Sequence, residues 1–114
     1  MTIYRRAWTM QLKDGAEAAY DAAHAAVWPE LTEQMIRDGI LRFHLFREGL
    51  TVFAVQERSR PFPTGDIKPN DVTRKWWQSM QPLMVTEETG QPLRTELKEV
   101  FSLQPQDQQQ EKSA

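Results

Sequence analysis

Between Tyr4 and Leu12 the side chains alternate: Tyr4, Arg6, Trp8, Met10 and Leu12 fall on one side, and Arg5, Ala7, Thr9 and Gln11 on the other. A period of two with the bulky apolar groups mostly on one side predicts a strand. Lys13-Asp14-Gly15 forms a turn, after which the spacing changes. Tyr20, His24, Val27, Leu31 and Met35 recur every three or four residues, which predicts a helix from Ala16 to about Asp38. Gly39 is placed to end it in a left-handed cap. Pro29 falls within that span, with no N–H for the carbonyl of Ala25 and a ring that crowds it. The helix is therefore expected to kink, or to break in two, near Ala25 to Trp28.

Two apolar-rich runs follow, Leu41 to Arg47 and Leu50 to Arg58, and Glu48-Gly49 between them reads as a tight hairpin turn. Ser59 to Asn70 carries Pro61, Pro63, Gly65 and Pro69 and reads as loop. Asp71 is the expected N-cap of a second helix running to about Met84 and contributing Val72, Trp76, Trp77, Met80 and Met84. Val85 to Pro92 is loop, and Leu93 to Leu103 alternates as a final strand. The order β-α-β-β-α-β is that of the ferredoxin-like α+β fold, an antiparallel sheet with two helices on one face. Trp8, Phe43, Phe53 and Phe101 are candidates for the opposite, open face. Pairing of two such faces in a homodimer is the simplest way to bury them.

The chain has 114 residues, and residues 1–103 are expected to form one domain with its own core. Cysteine is absent, which removes disulfides, thiolate nucleophiles and Cys-based zinc sites. The formal net charge of −2 and the lack of any basic cluster beyond Arg5-Arg6 argue against a nucleic-acid partner. No apolar run is long enough for a signal peptide or a membrane span, so a cytoplasmic protein is expected. The Gln-rich segment 104–114 lacks the apolar side chains that would offset its ordering entropy, and is expected to be a mobile tail.

Only His24 and His44 are available for proton transfer near neutral pH. His24 lies four residues after Tyr20, so both project from one helical face. Two readings stand side by side. One makes His24 an acid–base group, and the other a helix histidine bonded to backbone that Pro29 has freed. His44 lies between Phe43 and Leu45 on a strand and must face away from them, which suits a surface or structural role. Adjacent positions on a helix diverge by about 100°, so one ring of the Trp76-Trp77 pair can pack in the core while the other lines a cleft. There is no Gly-rich phosphate loop, no GxSxG turn and no His/carboxylate set with metal spacing. An enzyme built from these parts needs neither metal nor cofactor and moves protons within a small substrate.

The segment Tyr20-x-x-x-His24-x-x-x-Trp28-Pro29-Glu30-Leu31 resembles the first helix of the L-rhamnose mutarotase family. So do Trp8-Thr9-Met10-Gln11-Leu12, the run Lys75-Trp76-Trp77-Gln78-Ser79-Met80, and Glu96-Leu97-Lys98-Glu99-Val100-Phe101, which together span residues 5–103. The resemblance implies a dimeric α+β barrel that interconverts the anomers of L-rhamnose or a related deoxyhexose. It further implies His24 as the proton donor, with Tyr20, Phe43, Trp76 and Trp77 around the sugar. Ala25 stands where the family usually has a small polar residue, commonly Asn, and Phe43 where it usually has Tyr. These changes remove two hydrogen bonds to substrate, each worth about 0.5–1.5 kcal/mol. The alternatives within the same fold are a cofactor-independent monooxygenase and a sugar-binding domain without turnover.

Overall fold

Pro29 does not bend the first helix; it starts a new one. In the computed structural model, which describes residues 2–64 and 68–104, helix α1 spans Glu17–His24 and α2 spans Pro29–Arg37. Trp28 is the N-cap of α2, with φ −59° and ψ 130°, the extended backbone that a following proline imposes. Pro29 takes the first helical position, where a missing N–H costs nothing. The expected single helix is thus two segments, joined by a tightened turn in which the Ala26 N–H donates to the Ala23 carbonyl at 3.3 Å.

Strands β1 (Tyr4–Gln11), β2 (Ile40–Glu48), β3 (Thr51–Arg58) and β4 (Arg94–Leu97) form one antiparallel sheet in the order β2-β3-β1-β4. This is the ferredoxin-like arrangement. The hairpin pairs Glu48 with Thr51, so its two loop residues are Gly49 and Leu50, one place beyond the expected Glu48-Gly49. Gly49 has φ +57°, the sign needed at the first central position of a type II′ turn. Helix α3 covers Asp71–Met80. Its N-cap is Asn70 rather than Asp71, because the Asn70 Oδ1 accepts from the Thr73 N–H at 2.9 Å, the bond that defines an N-cap. The helix stops before Met84 because Pro82 tightens the next turn into 3₁₀ geometry over Gln81–Leu83.

Registry fixes which side of each strand meets the helices. Trp8 pairs with Ala54 and Met10 with Val52, while Leu45 faces Ala54 and Phe43 faces Gln56. These residues share the helix side. With Leu12, Ala16, Tyr20, Met80 and Met84 they build the core, and Trp8 and Phe43 lie 5.8 Å apart, ring to ring. Trp8 and Phe43 therefore do not belong to the open face, as their size suggested. Alternation says that the two sides differ but not which one is covered. Phe53 does lie on the open face, 39% exposed, together with Phe46 at 62% and Leu97. Phe101 is past the end of β4, which closes at the Ala7–Leu97 pair rather than running to Leu103. The segment expected to be a mobile tail lies, apart from Gln104, outside the described residues.

Candidate active site

His24 is the last residue of α1 and Tyr20 stands one turn before it. The Tyr20 and His24 rings lie 4.1 Å apart at 31°. The His24 Nδ1 is 2.9 Å from the carbonyl oxygen of Tyr20. A carbonyl can only accept, so Nδ1 carries the hydrogen, and Nε2 is the ring nitrogen outside this bond. Of the two readings of His24, the structure shows a helix histidine bonded to backbone, though to the Tyr20 carbonyl one turn back and not to a carbonyl that Pro29 frees. Backbone fixes one ring nitrogen and frees the other.

Trp76 of α3 meets the His24 ring edge-on, at 5.4 Å and 89°, and meets Trp28 in the same way at 5.0 Å. An edge-to-face pair contributes about 0.5–1.5 kcal/mol beyond its buried area. Trp76 therefore locks the end of α1 to the start of α2, on either side of the break. Trp28 belongs to this aromatic group although it was not among the expected site residues; it continues the spacing of four from Tyr20 and His24, but past the break in the helix. The signal available was its position before Pro29, which gives it extended backbone at a helix junction. Trp77 is half-buried on the same helix and touches no other ring among the described residues. Phe43 packs on Trp8, and His44 faces the open side, exposed and stacked on Phe46 at 6.4 Å.

Beside His24 is a cavity of about 250 Å³ lined by Tyr20, Asp21, His24, Ala25, Leu45, Phe46, Arg47 and Val52. That lies just under the 300–1,000 Å³ of pockets for drug-sized ligands, a size for a smaller molecule. Trp76, Trp77 and Phe43 are not in its wall. Tyr20 is only 4% exposed, and its phenol is pushed up to about 12 by burial and, secondarily, by the Asp21 charge. It stays protonated across the neutral range, the form that can donate a hydrogen bond. Asp21 is held below the usual carboxylate range by hydrogen bonds from Arg47. Arg47 Nε donates to one oxygen at 2.8 Å and its terminal nitrogen to the other at 2.6 Å. No set of metal-binding side chains occurs among the described residues.

A ferredoxin-like sheet carrying an imidazole with one nitrogen tied to backbone and the other unbonded among the described residues, beside a small cavity, fits a class: small α+β enzymes that work by acid–base chemistry. The family model of L-rhamnose mutarotases matches residues 5–103. The L-rhamnose mutarotases of Flavobacterium johnsoniae and Rhizobium meliloti are each 37% identical to the chain. The first match covers 87% of this chain and 94% of that protein, the second 85% and 95%. The crystal structure of an L-rhamnose mutarotase from Formosa agariphila superposes with a TM-score of 0.78 at 30% identity, over 89% of this chain and 99% of that one. The chain belongs to the L-rhamnose mutarotase family.

Proposed function

We propose that this protein interconverts the α and β anomers of L-rhamnose or a closely related deoxyhexose, with His24 as the proton-transfer group. The single observation that carries the reading is the bond from His24 Nδ1 to the Tyr20 carbonyl, which leaves Nε2 for the sugar. In the protonated imidazole, Nε2–H donates to the ring oxygen while the anomeric hydroxyl gives its proton to water. The C1–O5 bond breaks, leaving an aldehyde at C1 and a hydroxyl at O5. Rotation about C1–C2 presents the other face of the carbonyl. O5 then attacks and returns its proton to Nε2, and the former carbonyl oxygen takes one from water. Protons and electrons balance, and no cofactor is consumed. General acid catalysis of this kind contributes about 10²–10⁴-fold.

The Tyr20 phenol, protonated because of its burial, donates to a sugar oxygen. Trp76 stiffens the His24 ring from its edge, and a tryptophan or phenylalanine face suits the C–H surface and methyl group of a 6-deoxy sugar. Phe43 and Trp77 enter as sugar walls on the family resemblance. The reading takes the protein as a cytoplasmic homodimer paired through the open sheet face, a view supported by the exposure of Phe46, Phe53 and Leu97 there. No helix among the described residues is long and apolar enough to cross a membrane. Exchange NMR of L-rhamnose with and without the protein tests the activity. Faster interconversion of the anomers supports it, and unchanged exchange at saturating protein refutes it.

A further inference from the structure

The side chains that wall the cavity beside His24 with hydrocarbon are Leu45, Val52 and the methyl of Ala25, while Phe46, whose ring faces the open side of the sheet, borders it between Leu45 and Arg47. Apart from Tyr20 and His24, its polar side chains are Asp21 and Arg47 alone. Small-molecule sites orient their ligands through a few fixed polar groups in an apolar lining. A polar pair in such a wall therefore carries the burden of reading the ligand.

Three constraints fix this pair. Arg47 uses Nε and one terminal nitrogen on the two Asp21 oxygens, at 2.8 and 2.6 Å, and the other terminal nitrogen on the Gly49 carbonyl at 2.9 Å. Three of the five guanidinium N–H groups are thus engaged, which leaves one N–H on each terminal nitrogen. Each Asp21 oxygen keeps a lone pair. The side chains are accessible, 28% exposed for Arg47 and 52% for Asp21. An exposed ion pair stabilises a fold little. This one ties α1 to the tip of the β2–β3 hairpin and holds the remaining donors and acceptors still.

We infer that the Asp21–Arg47 pair is a sugar-hydroxyl clamp that sets which hydroxyls the site accepts. A vicinal diol matches it: one hydroxyl donates to a carboxylate oxygen while its neighbour accepts from the guanidinium. This rests on the mutarotase reading, because it places the pyranose in the cavity beside His24. Ala25 offers no side-chain hydrogen bond in that wall, so discrimination among hydroxyl patterns falls to the pair. Neither residue transfers a proton. Asp21 has both oxygens bonded to Arg47, and Arg47 stays charged.

The test is exchange NMR at graded concentrations of L-rhamnose and of its 2-, 3- and 4-deoxy analogues, for the wild type, Arg47→Lys and Asp21→Asn. Loss of one or two clamp hydrogen bonds raises the KM for L-rhamnose about tenfold in both variants, with a much smaller change in kcat. For at least one deoxy analogue, the one lacking the clamped hydroxyl, wild type and variants share the same KM. A tie between helix and hairpin that served the fold alone would shift every sugar equally. That result overturns the inference, as do variants indistinguishable from wild type on L-rhamnose. Thermal melts of the variants identify any general loss of folding. If the wild type accelerates no sugar, the functional reading falls and the clamp with it; if it does and the variants match it, the clamp alone falls.

Discussion

The rings of Tyr20 and His24 lie 4.1 Å apart, one helical turn from each other, and the backbone of the first holds the side chain of the second. In the proposed reaction the pair divides the work: the phenol, raised by burial, remains a donor while the imidazole moves the proton.

His24→Ala removes the only imidazole in the cavity wall. Exchange NMR is expected to show at least a 10²-fold fall in catalysed anomer interconversion, in line with the contribution of general acid–base groups. His24 is half-exposed at a helix end, so the variant should keep its circular dichroism spectrum. Wild-type rates in a folded His24→Ala protein would remove His24 from the mechanism.

Tyr20 makes a prediction in alkali. Its folded-state pKa, raised to about 12, lies above the phenol's ordinary value of about 10. Between these values the unfolded chain has lost a proton that the folded one still holds, so stability falls as pH rises through the window. The loss is on the order of 2–3 kcal/mol once both values are passed. Denaturant melts from pH 9 to 12 should show a steeper decline for the wild type than for Tyr20→Phe. Parallel curves would mean that the phenol is not desolvated.

Gly39 separates backbone strain from steric crowding. It ends α2 with φ +90°, and an added Cβ would sit 2.9 Å from Ser59 Oγ and from Arg60 Nε. Gly39→Ala is expected to cost about 1–2 kcal/mol from the left-handed conformation alone. Such a loss lowers the melting temperature by about 4–8 °C per kcal/mol in a domain of this size. Gly15→Ala, with positive φ but open space around it, should cost less. Equal losses would assign the whole effect to the backbone.

Phe53→Asp tests the proposed pairing of two copies through the open sheet face. Phe53 stands on the open face of a central strand, 39% exposed, and a carboxylate there would be buried against the partner without a counter-charge. Sedimentation is expected to show a dimer for the wild type and a monomer for the variant. A wild type that sediments as a monomer, or a variant that stays dimeric, would move the interface elsewhere.

Much of this was legible along the chain, for reasons that are local. Alternation marked the strands because side chains on an extended backbone point to opposite sides whatever they pack against. Pro29 marked the helix break because a missing N–H and a crowding ring act within four residues. Tyr20 and His24 were paired by the helical repeat. What the chain alone determined is therefore where each element starts and turns, and which residues share a face. The fold decided which face is covered, turning Trp8 and Phe43 toward the helices through the registry of three strands. It also joined residues with no periodic relation: Arg47 to Asp21 across 26 positions, and Trp76 to His24 and Trp28. Those contacts depend on distances between elements, which packing sets and local spacing cannot encode.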